Sequence, residues 1–392
     1  MRRVSVFGAT GSVGESTLDL IRRREDLQVV VLTGARNIER LAELARAHRA
    51  ELAVTAHEEL YTPLKAALQG SGTEVAAGPG AVAEAGLVPA DWTMSAIVGA
   101  AGLAPGFAAL SQGRTLALAN KESLVTAGPL LLAEAARHGA TILPVDSEHS
   151  AVFQALVGEC PEAVDSVTIT ASGGGLRDWP LERLASATPA DAGRHPNWEM
   201  GQRITIDSAS MFNKAMEVIE AREFFGLSPD QIRVLIHPQS LVHALVAFRD
   251  GGVIAHLGAP DMRHAIGYAL NWPERAALPV APLDLAAAGR LDFAAPDLTR
   301  YPALRLARQV MATGGAAGCV FNAAKEVALD AFIAGAIGFL NMADLVEATL
   351  ARYDSAAKLT QAPDSLAAVL EVDRLARRLS AEVAEGMTAT TS

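Results

Sequence analysis

The 392-residue sequence predicts an α/β protein: a doubly wound sheet first, then an α+β domain, then a C-terminal helical bundle. Three observations carry this. Strand-like runs alternate with helical stretches from Val4 to about Glu148, the pattern of a mostly parallel sheet covered on both faces. Three strand-like runs, Val234–Pro238, Leu241–Phe248 and Val253–Leu257, follow one another without a helix, which implies an antiparallel or mixed sheet. From about Tyr301 the apolar spacing is helical and strand signals cease. The expected boundaries are 1–148, 149–272, a Pro- and Ala-rich linker over 273–300, and 301–392.

Composition narrows the class. Half of the residues are hydrophobic and a fifth are charged, as in compact globular proteins. A net charge of −11 argues against nucleic acid as the main partner. No uninterrupted apolar stretch approaches membrane-spanning length, and the run Val4–Phe7 is too short for a signal-peptide core. A cytoplasmic location is the default expectation. The two cysteines, Cys160 and Cys319, lie far apart without metal-ligand spacing, so no disulfide framework is indicated.

Val4–Phe7 reads as a strand, Gly8-Ala9-Thr10-Gly11-Ser12-Val13-Gly14 as a turn, and Glu15–Ile21 as a helix. Strand, glycine loop and helix in that order make the first domain Rossmann-like. The glycines permit a tight turn, and the helix N-terminus offers free N–H groups to a pyrophosphate. The next strand, Gln28–Thr33, runs into Gly34-Ala35-Arg36-Asn37 with no acid before Glu39. An Arg there suits the 2′-phosphate of NADP, whereas an acid would suit NAD. Further runs at Leu52–Thr55, Thr93–Val98, Thr115–Ala119 and Thr141–Val145 continue the sheet, with a helix over Glu122–Arg137. Asn120-Lys121-Glu122 and Asp146-Ser147-Glu148 each follow a strand, so both should face the ligand crevice. Read as extended chain, Asp146 and Glu148 point to one side and present two carboxylates, a pair suited to Mg²⁺ or Mn²⁺. Alone, two acids on a solvated loop would be the simpler account; beside a nucleotide site they imply chemistry.

After the run Val164–Thr170, the segment 172–202 shows little regular pattern beyond a helical turn near Leu181–Ala185. Glycines near both ends, and His195 and Trp198 within it, suggest a lid. The helix expected from near Ser208 places Asn213, Lys214 and Glu217 along one side. That face suits either a solvated surface or phosphate ligands beside a third carboxylate, and periodicity does not separate the two.

The chain resembles the 1-deoxy-D-xylulose 5-phosphate reductoisomerase family over nearly its whole length. The resemblance rests on Gly8–Gly14, Ala119–Ser123, Pro144–His149, His195–Gly201, Asp207–Lys214, Ile236–Ser240, Tyr301-Pro302 and Phe321–Ala324. It implies an NADPH- and divalent-metal-dependent enzyme of non-mevalonate isoprenoid synthesis, usually a homodimer, acting on a small phosphorylated sugar. Asp146, Glu148 and Glu217 become metal ligands by that resemblance. Lys121 and Ser147 fall on the substrate's oxygens, with Ser172, His195, Ser208, Asn213 and Lys214 around its phosphate. Thr10, Gly11, Ser12, Val13, Ala35, Arg36, Asn37, Asn120, Glu122 and Gly201 match cofactor positions. The family commonly has Pro-Phe where this chain has Gly175-Leu176, a change expected to loosen the start of the lid. Gly is common at Ala215, and Lys is frequent at Arg36. Two rivals are a cysteine-dependent semialdehyde or acyl-phosphate reductase, for which Cys160 and Cys319 are poorly placed, and a non-catalytic NADP sensor.

Overall fold

The structure, a computed structural model, describes residues 1–198 and 201–391. Glu199 and Met200, part of the expected lid, lie outside the described residues. The chain forms two compact units. The first comprises Met1–Ser123, Pro129–Ser150 and Asp261–Ala281; the second comprises Leu124–Gly128, Ala151–Pro260 and the chain from Pro282 onward.

In the first unit, strands β1 (Arg2–Phe7), β2 (Leu27–Gly34), β3 (Leu52–Thr55), β4 (Glu74–Ala77), β5 (Trp92–Ser95), β6 (Thr115–Leu118) and β7 (Thr141–Pro144) form one sheet in the order β4-β3-β2-β1-β5-β6-β7. Every pairing is parallel. Its helices are α1 (Ser12–Ile21), α2 (Ile38–His48), α3 (Tyr61–Ala67), α4 (Pro79–Glu84) and α5 (Leu103–Leu110), with most of α6 (Lys121–His138) and the first turn of α7 (Ser147–Ala155). Both faces of the central strands are covered, so the run Val29 to Leu32 of β2 is apolar and wholly buried. The register pairs Phe7 with Ser95, Ser95 with Leu118 and Leu118 with Pro144. The segments that follow these residues therefore begin along one carboxyl edge. Sequence periodicity missed β4, which opens on the exposed Glu74, has no fully buried residue and carries no long apolar run.

The second unit is built on β8 (Val164–Ala171), followed by α8 (Pro189–Ala192), α9 (Gln202–Ala209), α10 (Phe212–Phe225), β9 (Ile232–Ile236), β10 (Val242–Phe248) and β11 (Val253–Leu257). Its sheet order is β11-β10-β8-β9, with β8 and β9 parallel and the other pairs antiparallel. The mixed sheet matches expectation, but β9 and β10 are not neighbours because β8 lies between them. The single helix expected from near Ser208 is two: Met211, at φ +61°, turns the chain between α9 and α10.

Two expected boundaries differ. Helix α11 (Arg263–Asn271) packs on α1 within the first unit, although it falls in the span 149–272. The linker has no single affiliation, and its later part is tied into the second unit after the short α12 (Leu285–Ala288). There Ala294 bridges Ile236, and the buried His237 uses Nδ1 to donate to the Asp292 carbonyl at 2.8 Å. Helices α13 (Pro302–Thr313), α14 (Ala317–Ile333), α15 (Asn341–Ala357) and α16 (Leu366–Thr391) bear out the helical C-terminus. Their apolar side chains share one core with Val167, Ile169, Ala215 and Met216 rather than closing a separate one. Among the described residues no helix is long and apolar enough to cross a membrane.

Candidate active site

The glycine loop of the first unit is held by steric necessity. Gly8 has φ +80°, and a Cβ there would stand 2.5 Å from the Ala96 carbonyl oxygen; one at Gly14 would stand 2.3 Å from that of Gly8. Gly11 is unstrained, and it precedes α1 without a side-chain cap. Thr10, Gly11, Ser12 and Val13 line this loop and the first helical turn, where N–H groups have no intrahelical acceptor. At the end of β2, Ala35, Arg36 and Asn37 are exposed. Asn37 caps α2 by accepting the Arg40 N–H at 3.1 Å, while Arg36 makes a loose 3.5 Å pair with Glu59.

After β6, Asn120 is spent locally. Its side chain accepts the Ser123 N–H and Oγ–H at 2.8 Å and donates to the carbonyls of Ile97 and Gly99. Asn120 therefore shapes the loop at the edge, and its amide is not a spare donor for a cofactor. Glu122 is buried in the first turn of α6. Lys121 sends its ammonium to Asp146, Nζ to Oδ2 2.7 Å. Asp146 Oδ1 takes the Nδ1–H of the fully buried His149 at 3.1 Å and the Glu148 N–H at 3.3 Å. Ser147 Oγ–H donates to Glu148 Oε2 at 2.6 Å. The expected reason for the Asp146–Glu148 pairing is corrected here: Ser147 opens helix α7, so the two acids sit at a helix start and not on alternate positions of extended chain. His149 is the contributor that pattern reading missed, although it closes the run Pro144–His149.

In the second unit, Ser172 and His195 meet at 2.9 Å, Oγ to Nε2. His195 Nδ1 accepts the backbone N–H groups of Trp198 (2.9 Å) and Asn197 (3.1 Å). Burial pulls its pKa down to about 4. The imidazole is thus neutral, with its proton on Nε2 facing Ser172. Trp198 lies near the His243 ring, centroids 6.5 Å apart, and Asn197 donates to Ser240 Oγ at 3.0 Å. Gly201 is exposed and precedes α9, and Ser208 is half-buried in the last turn of that helix. On α10, Asn213 and Lys214 donate to separate oxygens of Glu217. Lys214 is 4% exposed and Glu217 1%, so this face is no solvated surface.

The expected loosening at Gly175-Leu176 is also corrected. A Cβ at Gly175 would fall 2.0 Å from the Arg194 carbonyl oxygen, so glycine lets the two backbones pack. Leu176 is 3% exposed and joins the core, and Arg300 donates to its carbonyl at 3.1 Å. The segment carries the expected turn at Leu181–Ser186 and, beyond expectation, the short helix α8.

Neither cysteine suits nucleophilic work. Cys319 is buried, which pushes its thiol up, and Cys160 is exposed just before a short turn. Family models for 1-deoxy-D-xylulose 5-phosphate reductoisomerase match residues 4–128, with its C-terminal domain models matching 142–225 and 257–379. The chain belongs to this family. A reductoisomerase of Jannaschia sp. (strain CCS1) is 68% identical over 380 residues, covering 97% of each chain. That of Ruegeria pomeroyi is also 68% identical, over 96% of each. A reductoisomerase from Zymomonas mobilis solved with NADPH superposes at TM-score 0.91, 46% identical, over 98% of this chain and 99% of that one. Another, solved with NADPH, fosmidomycin and magnesium, gives 0.92 at 37% identity over 98% of each. The cysteine-dependent reductase and the non-catalytic sensor are set aside by this membership: a 1-deoxy-D-xylulose 5-phosphate reductoisomerase is an oxidoreductase.

Proposed function

We propose that this chain rearranges 1-deoxy-D-xylulose 5-phosphate and reduces the product with NADPH to 2-C-methyl-D-erythritol 4-phosphate, using a divalent cation held by Asp146, Glu148 and Glu217. The observation that carries the reading is the pair of edge segments after β6 and β7. There Lys121 meets Asp146 on the same carboxyl edge as the Gly8–Gly14 loop. All three donors are carboxylates, an oxygen set that fits Mg²⁺ or Mn²⁺. When bound, such a cation supplies Lewis acidity toward substrate oxygens.

The chain's own residues do the rest. Lys121 and Ser147 orient the substrate's oxygens. Ser172, His195, Ser208, Asn213 and Lys214 hold its phosphate, with His195 acting as a neutral Nε2–H donor. Thr10 to Val13 hold the pyrophosphate and Arg36 the 2′-phosphate, while Ala35, Asn37, Asn120, Glu122 and Gly201 shape the cofactor's surroundings. The segment 172–202 closes over the bound sugar with Trp198 excluding water, which retains a reactive aldehyde between the two steps. We further read the enzyme as cytoplasmic and homodimeric; the exposed Val253 and Ile254 on edge strand β11 support a self-association surface. NADPH oxidation in the presence of 1-deoxy-D-xylulose 5-phosphate tests the reaction. It should require Mg²⁺ or Mn²⁺, stop with chelator and resume on re-addition. Turnover that survives exhaustive chelation would overturn the metal assignment.

A further inference from the structure

One buried ion pair of the second unit has no part in the roles above. Lys325, on α14, reaches Asp207, on α9, with Nζ to Oδ2 at 2.9 Å; their side chains are 6% and 9% exposed. Burying two charges is costly unless they meet in good geometry, so this pair is a weak way to gain stability. Its position is what distinguishes it. Asp207 immediately precedes Ser208, and the turn at Met211 joins that helix to Asn213 and Lys214. The corner is seated on α14 beyond the pair itself. Phe212 packs on Phe321 with ring centroids 5.8 Å apart, and Arg203 pairs with Asp330 at the outer edge. Lys214 is meanwhile engaged with Glu217, so the corner has little positive charge to spare. An uncompensated carboxylate next to Ser208 would repel a phosphate through a poorly screening interior.

We propose that Lys325 is a positioning residue for the substrate's phosphate: by neutralising Asp207 and fixing it against α14, it lets an anion approach Ser208. The proposal rests on the reading of Ser208, Asn213 and Lys214 as phosphate ligands.

Steady-state kinetics with 1-deoxy-D-xylulose 5-phosphate, together with inhibition by inorganic phosphate, test it on the full chain. Lys325→Met should raise the substrate KM and the phosphate inhibition constant together, by about tenfold, with kcat and NADPH affinity within about twofold. The double variant Asp207→Asn/Lys325→Met removes both charges and should recover most of the lost affinity. A purely structural pair would show its loss and recovery in Tm alone, with KM and the phosphate inhibition constant close to the parent's in both variants. Lys214→Met is the control for the underlying reading. If it leaves KM unchanged, the phosphate site itself is misassigned. If it raises KM while Lys325→Met does not, the proposal alone is overturned. Should Lys325→Met not fold, Asp207→Asn decides, because it keeps an acceptor for Lys325 and removes the negative charge beside Ser208. KM should then fall severalfold, and an unchanged or higher KM overturns the proposal.

Discussion

His195 cannot serve Ser172 as a base, because Nδ1 already accepts two backbone N–H groups and Nε2 therefore carries the proton. Its depressed pKa has a definite sign. Between the ordinary value near 6.5 and about 4, the unfolded chain binds a proton that the folded chain refuses. The contribution to stability is full above that window and is lost as pH falls through it. Melting curves of His195→Gln should accordingly show a shallower loss of stability between pH 6.5 and 4 than the parent; parallel curves would contradict the neutral assignment. Arg36 is a different case. Its side chain is 72% exposed and its pair with Glu59 is long, an interaction of little worth that a phosphate can displace. Arg36→Glu should raise the KM for NADPH by about tenfold or more and change that for NADH much less. Equal losses would remove Arg36 from the 2′-phosphate. Such exposed residues were legible because the strand–loop order fixes where they stand. The fate of Glu217 was not, since helical spacing lists which residues share a face without saying what covers it.

Elements were read well where an apolar run stands out from its flanks. Six strands of the parallel sheet carry that signal, and β4, at the edge and partly buried, does not. Short-range reading also joined α9 to α10, because nothing in Ser210-Met211 marks a break. Met211 adopts a left-handed conformation that only the surrounding packing enforces, being 1% exposed. The same elements make a testable corner. Gly174 has φ +69°, and a Cβ there would stand 2.4 Å from the Ala209 Cα. Gly174→Ala should cost about 1–3 kcal/mol, visible as a lower Tm. It should also raise the substrate KM, because Ser172 and Ser208 flank the clash. Retention of both values would mean that the loop relaxes freely.

At the level of the molecule, the helical C-terminus has no independence from the α+β part. Phe321, Phe332, Leu345 and Val383 lie in one core with Val167, Phe212 and Val246, and each fully buried large side chain is worth about 1.5–3 kcal/mol. A chain ending at Arg300 should therefore lose the second unit altogether, recovered insoluble or protease-sensitive from residue 151 onward; a stable, soluble truncation would contradict the shared core. This fusion was not legible, since both regions carry ordinary amphipathic patterns and neither pattern names its partner. The return of α11 has a consequence for how the protein is made. The indole N–H of Trp92, buried in the middle of the first sheet, donates to the Ala269 carbonyl at 3.0 Å, and Arg2 donates to that of Leu270. On a ribosome these acceptors emerge only after the whole inserted segment from Ala151 to Pro260, a delay on the order of ten seconds at ordinary elongation rates. Throughout that interval the Trp92 indole N–H lacks its protein acceptor and α1 keeps an uncovered flank. A pause in translation once Asn271 has cleared the ribosome would let the first unit close before the rest of the chain emerges, and one placed earlier would prolong its exposure to chaperones.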